Sequence, residues 1–358
     1  MAEKIPVMDG IRAETIETTR LKTRVLFSGP ADGVPVLFVH GNASSATYWE
    51  ETMLALPEGY RGIAPDQRGY GEADRDTLIY ATRGMGDLAD DLIALLDRLG
   101  LQWAHFVGHS MGGSVIWRVL MDNPGRVLSV TFAAPGSPYG FGGTKGNDGT
   151  LCYPDGAGSG GGIVNTNFTK YMAEGYRGTE DAQGSPRVVM NTFYWKPPFV
   201  PAREEELLSS LMSEHVGEKG YPGDSIPSVN WPNAAPGVWG PANALAPVYA
   251  GDIETLYAID PKPPVLWIRG ADDQIVSDNS LFDMGTLGKL GAVPGWPGDD
   301  IFPPQPMVSQ TRAVLEKYAA AGGQFEEVVF EECGHTPYLE KPEAFNEAFH
   351  KHLQSVTS

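Results

Sequence analysis

Cysteine is nearly absent from this chain: Cys152 and Cys333 are the two in 358 residues. Two thiols so far apart make neither a disulfide framework nor a metal-ligand cluster, and Cys333, two residues before His335, reads as a small packed thiol. Positive charge is scarce as well. Lys and Arg number 26 against 45 Asp and Glu, a net charge of −19. With no polybasic patch, nucleic-acid and anionic-membrane partners are excluded, because both need a basic face. No apolar run approaches the ~20 residues needed to span a bilayer. The opening MAEKIPVMDG carries charge early and no apolar stretch, which predicts no secretory leader; a soluble, cytoplasmic protein is the expectation. The glycine-rich GFGGTKGNDGTLCYPDGAGSGGG (140–162) lacks the Lys-Ser/Thr ending and strand–helix frame of a phosphate cradle. Its Asp148 and Asp155 also lack the regular spacing of a calcium loop. No cofactor and no metal is expected, and the segment reads as a flap over a site or as a flexible loop.

What is present is a βαβ rhythm. TRLKTRVLFSG reads as an early strand or hairpin, PVLFVHG as a buried strand and YRGIAPD as a short one. MGDLADDLIALLDRLG has apolar residues at helical spacing. AHFVGHS, MGGSVIWRVLMDNPG and VLSVTFAAPG then follow as strand, helix and strand. The rhythm breaks near residue 137 and resumes at PPVLWIRG (263–270), continuing as helix, strand and helix to the end. A mostly parallel sheet with helices on both faces follows. Residues 1–136 and 263–358 form its core, and 137–262 is an excursion between two of its strands, the place of a lid. One helix is clear inside it, PAREEELLSSLMSEHVG, with Pro201 near its start, glutamates in its first turn and Gly217 as its stop. A smaller insertion occupies roughly 280–307.

The candidate chemistry centres on VGHSMGGS. A strand that turns abruptly into a helix forces the residue at its tip into strained geometry, and its neighbours at −2 and +2 must be small. Gly108 and Gly112 meet that need, which makes Ser110 a candidate nucleophile. A serine hydroxyl needs a base, and the base an orienting acid. Of the seven histidines, His335 stands on a loop just after the last strand, where catalytic groups converge in parallel sheets. His105 lies in a strand, His109 beside the serine with its side chain expected to point away along the turn, His215 on the excursion helix, and His350 and His352 on the terminal helix. All five read as structural. The acid should follow PPVLWIRG, where GADDQIV offers Asp272 and Asp273; the spacing favours Asp273, with Asp272 capping the turn. The alternative position, after AAPGSP, has no carboxylate before Asp148. Oxyanion donors would be the N–H of Met111 at the helix start and the N–H of Asn42 after PVLFVHG. Asp66 and Arg68 read as an ion pair or turn, and Trp117 and Arg118 as packing and surface residues.

With HGN, GHSMG, GADD and GH in this order, the chain resembles the α/β-hydrolase superfamily, in the group that includes serine esterases, haloperoxidases and epoxide hydrolases. The resemblance covers 24–136 and 263–354 and rests on VLFVHGN, APDQRGYGEAD, VGHSMGGS, IRGADDQIV and EECGHTPYLEKPEAF. It implies an eight-stranded, mostly parallel sheet with a lid after the sixth strand. It also implies a Ser110–His335–Asp273 triad and an oxyanion hole at Asn42 and Met111. Three features depart from the group. Epoxide hydrolases and haloalkane dehalogenases place aspartate where Ser110 stands, many relatives carry a proline two residues after the HG pair where this chain reads HGNAS, and 137–262 matches no known lid.

The expected activity is cofactor-free hydrolysis of a small-molecule carboxylic ester, or a lactone. C–C bond hydrolysis, amide hydrolysis, perhydrolysis, hydroxynitrile cleavage and a ligand receptor that does not turn over are the alternatives the same triad supports. The excursion's aromatics, among them Tyr139, Phe141, Phe168, Tyr194, Tyr221 and Trp231, either line the pocket or form the excursion's own core.

Overall fold

Alternation builds the sheet. In a computed structural model, which describes residues 5–357, strand β3 (Val34–Val39) sends Leu37 and Val39 into one apolar layer and Val36 and Phe38 into the other. Both sets are buried, as expected for a strand covered on both faces. The other strands are β1 (Arg12–Glu17), β2 (Lys22–Ser28), β4 (Tyr60–Pro65), β5 (Ala104–His109), β6 (Val127–Ala133), β7 (Val265–Gly270) and β8 (Phe325–Phe330). Their spatial order is β1-β2-β4-β3-β5-β6-β7-β8. β2 runs antiparallel to both neighbours and every other pairing is parallel. Residues 1–4, on which the expectation of no leader partly rests, lie outside the described residues.

Helices α1 (Gly86–Arg98), α2 (Met111–Asp122) and α3 (Met307–Ala320) cover one face through Leu88, Leu92, Ile116, Val119 and Val314. The terminal helix α4 (Pro342–Thr357) and a short helical stretch at 46–54 cover the other through Phe345, Phe349, Leu353 and Trp49. Among the described residues no helix is long and apolar enough to cross a membrane. The order of strands reverses between β3 and β5, so the loops leaving their C-terminal ends diverge and open a crevice at that edge. Asp66 and Arg68 do form ion pairs, though not with each other: Arg24 grips Asp66 at 2.9 Å and Arg68 grips Asp91 at 2.7 Å.

The segment between β6 and β7 lies over that edge. It carries helices at Thr166–Glu174, Pro186–Val189 and Glu204–Leu211, with a wider π-helical turn at Met190–Tyr194. The helix expected to stop at Gly217 ends at Leu211, because the chain is drawn off to the core: His215 N donates to Gly69 O at 2.8 Å. Two of its first-turn glutamates, Glu204 and Glu205, pair with Arg187. Further ties run from Arg203 to Glu50 (2.6 Å), from Ser210 Oγ to Ser45 Oγ (2.6 Å) and from Ala81 N to Val238 O (2.9 Å).

The glycine-rich 140–162 is closely packed rather than a loose loop, and its Phe141 and Gly160 line the same cavity as Ser110. Ala157 and Ser159 are wholly buried. Gly142 N donates to Gln305 Oε1 (2.6 Å), and Gln310 Nε2 donates to Gly146 O (3.0 Å). Eight of its glycines hold positive φ, so the composition serves a tightly folded path pressed against the second insertion. A Cβ on Gly158 would stand 2.4 Å from the buried ring of Phe302.

Candidate functional site

Ser110 ends β5 and begins the turn into α2 at φ +53°, ψ −119°. Its N–H donates to Ala133 O at 3.1 Å, anchoring it to β6. The helix passes so close to β3 that a Cβ on Gly112 would lie 2.2 Å from Val39 O and 2.6 Å from His40 O. This close approach is the physical reason for a glycine there. Met111 is the first residue of α2, so its N–H has no partner within the helix and sits at the positive end of the helix dipole. Five described non-glycine residues have positive φ: Ala43, Ser110, Ala134, Asn233 and Glu332. All but Asn233 follow the C-terminal ends of β3, β5, β6 and β8. Backbone strain of this kind is retained where surroundings over-determine it, and here it rings one place.

Asp273 and His335 come to that place from the loops after β7 and β8. His335 Nδ1 lies 2.7 Å from Asp273 Oδ2. A carboxylate only accepts, so Nδ1 carries the proton and Nε2 is left with its lone pair. Asp273 Oδ1 accepts from the N–H groups of Ile275 (2.8 Å) and Val276 (3.0 Å), which fixes the carboxylate's rotation. Both side chains are about 3% exposed. Asp272 points outward to Lys196 Nζ at 3.0 Å, an ion pair rather than the expected turn cap.

Two groups that sequence reasoning passed over hold His335. His109 does not point away along the turn. Its Nε2 donates to His335 O at 2.9 Å, and the two rings lie 4.6 Å apart. Burial, and then the neighbouring His335, hold His109 well below the usual imidazole range, so it is neutral. Glu340 accepts from Gly334 N at 2.8 Å and from Lys196 N at 2.8 Å, tying the histidine loop to the excursion. The signal was available in the spacing, since Glu340 falls five residues after His335 within EECGHTPYLEKP. The remaining histidines make their contacts elsewhere. His40 accepts from Gln67 N through Nε2 (3.0 Å) and is pushed down to about 4 by burial. His105 bonds Ser129 Oγ at 2.7 Å.

Asn42 follows β3, with its side-chain Oδ1 accepting from Tyr70 Oη at 2.8 Å. Trp117 packs on Phe132 at 4.2 Å, and Arg118 pairs with Asp122, both as expected. Asn42, Ser110, Met111 and His335 all line one cavity of about 340 Å³. Its walls come from the excursion and the second insertion: Phe141, Phe168, Phe193, Tyr194 and Tyr221, with Leu281, Phe282 and Met284. Five of the excursion's aromatics therefore line it, and others form a separate core, as Trp231 does against Phe302. Among the described residues no Asp, Glu, Lys or Arg side chain lines this cavity. Among the described residues no group of three or more His, Cys, Asp or Glu is placed to hold a metal ion.

A mostly parallel eight-stranded sheet in this order, with a serine turn after β5, is the α/β-hydrolase fold. Residues 34–148 match the family model described as alpha/beta hydrolase fold. The chain is 38% identical over 125 residues to the non-heme chloroperoxidase of Streptomyces lividans, and 35% identical over 116 residues to epoxide hydrolase A of Mycobacterium tuberculosis. These stretches cover 34% and 32% of this chain and 44% and 36% of the two relatives, so each match spans less than half of the relative's length. The crystal structure of carboxylesterase CesB from Bacillus subtilis superposes with a TM-score of 0.56, covering 98% of this chain and 93% of that one. At 19% identity that likeness is one of fold. Together the sequence match over 34–148, these relatives and the shared fold support the α/β-hydrolase superfamily for this chain.

Proposed function

We propose that this protein is a serine hydrolase that cleaves an uncharged carboxylic ester, a lactone being the cyclic form of the same substrate. Ser110 Oγ attacks the carbonyl carbon while His335 Nε2 takes its proton. The N–H groups of Asn42 and Met111 receive the charge that develops on oxygen. The tetrahedral intermediate collapses as His335 returns the proton to the leaving alcohol, giving an acyl-enzyme. A water deprotonated by His335 then releases the acid and restores Ser110. Asp273 keeps the imidazole in the tautomer this requires. Residues 137–262 act as the lid, and 1–136 with 263–358 as the catalytic core.

The observation that carries the reading is the 2.7 Å His335–Asp273 pair beside a cavity that also contains Ser110. The same cavity supports the substrate class. A space of this size suits a small organic molecule, and with no charged side chain in its wall a carboxylate, phosphate or ammonium on the substrate would be buried unpaired. The net charge of −19 disfavours anionic substrates further. The test is a panel of neutral p-nitrophenyl and aliphatic esters, lactones and amides, matched with esters bearing a carboxylate or an ammonium. Neutral esters should turn over, Ser110→Ala should abolish turnover without changing the melting temperature, and a fluorophosphonate should label wild type alone. Substantial turnover by Ser110→Ala removes Ser110 from the mechanism. One equivalent of product with no second turnover identifies a receptor instead.

A further inference from the structure

Ala43 stands beside Asn42 at φ +45°, a conformation that costs a residue with a Cβ about 1–2 kcal/mol. Proline, whose ring fixes φ near −65°, cannot make this turn, and HGNAS has none there. The groups that hold the turn come from the excursion. Tyr194 Oη donates to Ala43 O at 3.0 Å. On the other side, the carboxyl group of Glu214 lies against the Ala43 N–H and the Tyr70 hydroxyl. Glu214 is 3% exposed. Neither neighbour reaches full hydrogen-bond geometry, and both carboxyl oxygens are without a well-aligned partner.

Among the described residues the titratable groups facing Glu214 are the hydroxyls of Tyr70, from the loop after β4, and of Tyr194 and Tyr221, from the excursion. None is a cation. A carboxylate here would be a buried, uncompensated anion, and burial raises the group well above the ordinary carboxyl range. Donor and acceptor roles agree with the acid form. The Ala43 N–H can only give a proton to one oxygen. Tyr70, whose own proton goes to Asn42 Oδ1, is left to receive one from the other.

We propose that Glu214 is a positioning residue for the oxyanion turn: as the neutral acid it supports Ala43 and Asn42, and once ionised it switches turnover off. The inference rests on the hydrolase reading above, in which the Asn42 N–H receives the substrate oxygen. Ionisation would place a negative charge beside the atom on which charge must develop, in a site too dry to screen it.

The experiment is kcat and KM against pH, on a neutral p-nitrophenyl ester, for wild type, Glu214→Gln and Glu214→Ala, with fluorophosphonate labelling and melting curves for each. Wild-type kcat should fall on the alkaline side, and Glu214→Gln, which cannot ionise, should lack that fall. Glu214→Ala should lower kcat by roughly tenfold to a hundredfold at neutral pH, with KM little changed, and the glutamine variant should recover most of that loss. An alkaline limb unchanged in Glu214→Gln overturns the proposal, as does an alanine variant within twofold of wild type. If the alanine variant does not fold, the glutamine limb decides alone. Failure of the hydrolase reading looks different: wild type shows no label and no turnover at any pH, and the inference falls with it.

Discussion

Replacing Asp273 with asparagine tests the site with almost no change of shape, and the structure dictates which way the new amide faces. Asp273 Oδ1 already accepts two backbone N–H groups, at 2.8 and 3.0 Å. An asparagine must keep its carbonyl there, because turning its NH2 toward two donors would leave three buried donors unpaired. The NH2 therefore faces His335 Nδ1, where Oδ2 lay at 2.7 Å. Two donors cannot share one bond, so the imidazole moves its proton to Nε2. That nitrogen then carries a proton and has no lone pair to accept the one from Ser110, the step the proposed mechanism needs. The expected loss is roughly 10³–10⁴-fold in kcat, about 4–5.5 kcal/mol of transition-state stabilisation, with KM nearly unchanged. Steady-state turnover of a neutral p-nitrophenyl ester measures it, and the second-order rate of fluorophosphonate labelling should fall in parallel, since both need the same base. A melting temperature within a few degrees of wild type confirms that the fold survives. Turnover within tenfold of wild type would refute the reasoning, because it would mean that His335 does not need Asp273 to choose its tautomer.

Two further perturbations test the scaffold. Gly112→Ala places a Cβ 2.2 Å from Val39 O, so α2 must move off β3. Stability should drop by roughly 1–3 kcal/mol in urea titrations, and kcat by about a hundredfold as Ser110 shifts; a variant of native stability and activity would show that the close approach is not needed. Burial pushes His105 down to about 4, with His352 lowering it further, while its unfolded value is about 6.5. The folded value is the lower one, so the unfolded chain binds more protons between these limits. The contribution is complete above pH 6.5 and is lost as pH falls toward 4, about 2 kcal/mol of it by pH 5. Unfolding free energies at pH 7 and pH 5 should therefore diverge about 2 kcal/mol less in His105→Gln than in wild type, and equal divergence would count against a buried neutral His105.

The sheet was legible because its signals are local. The continuous apolar run in PVLFV, turn residues after each strand and a helical apolar stripe in GDLADDLIALLDR depend on neighbours only a few residues away. The strand ends that carry Ser110, Asp273 and His335 could be read in the same way. Signals that depend on a distant partner were misread. The Glu204–Leu211 helix stops early because Gly69, far off in sequence, claims the amide of His215. The glycine-rich stretch looks loose in sequence, yet Gln305 and Phe302 from the second insertion and Gln310 from α3 pin it down.

The division follows from range. By itself the chain determined its strands, its helices and the residue types at their ends, since backbone preference and apolar periodicity act within a few residues. Only the tertiary structure decided which groups meet. It turned His109 onto His335, set Glu340 between two loops, enclosed a cavity without charged side chains, and placed Glu214 and Tyr194 on either side of the strained Ala43. All of those contacts except the Glu340–Gly334 bond join residues far apart in sequence, with energies set by burial and hydrogen-bond geometry that exist only once the sheet has formed.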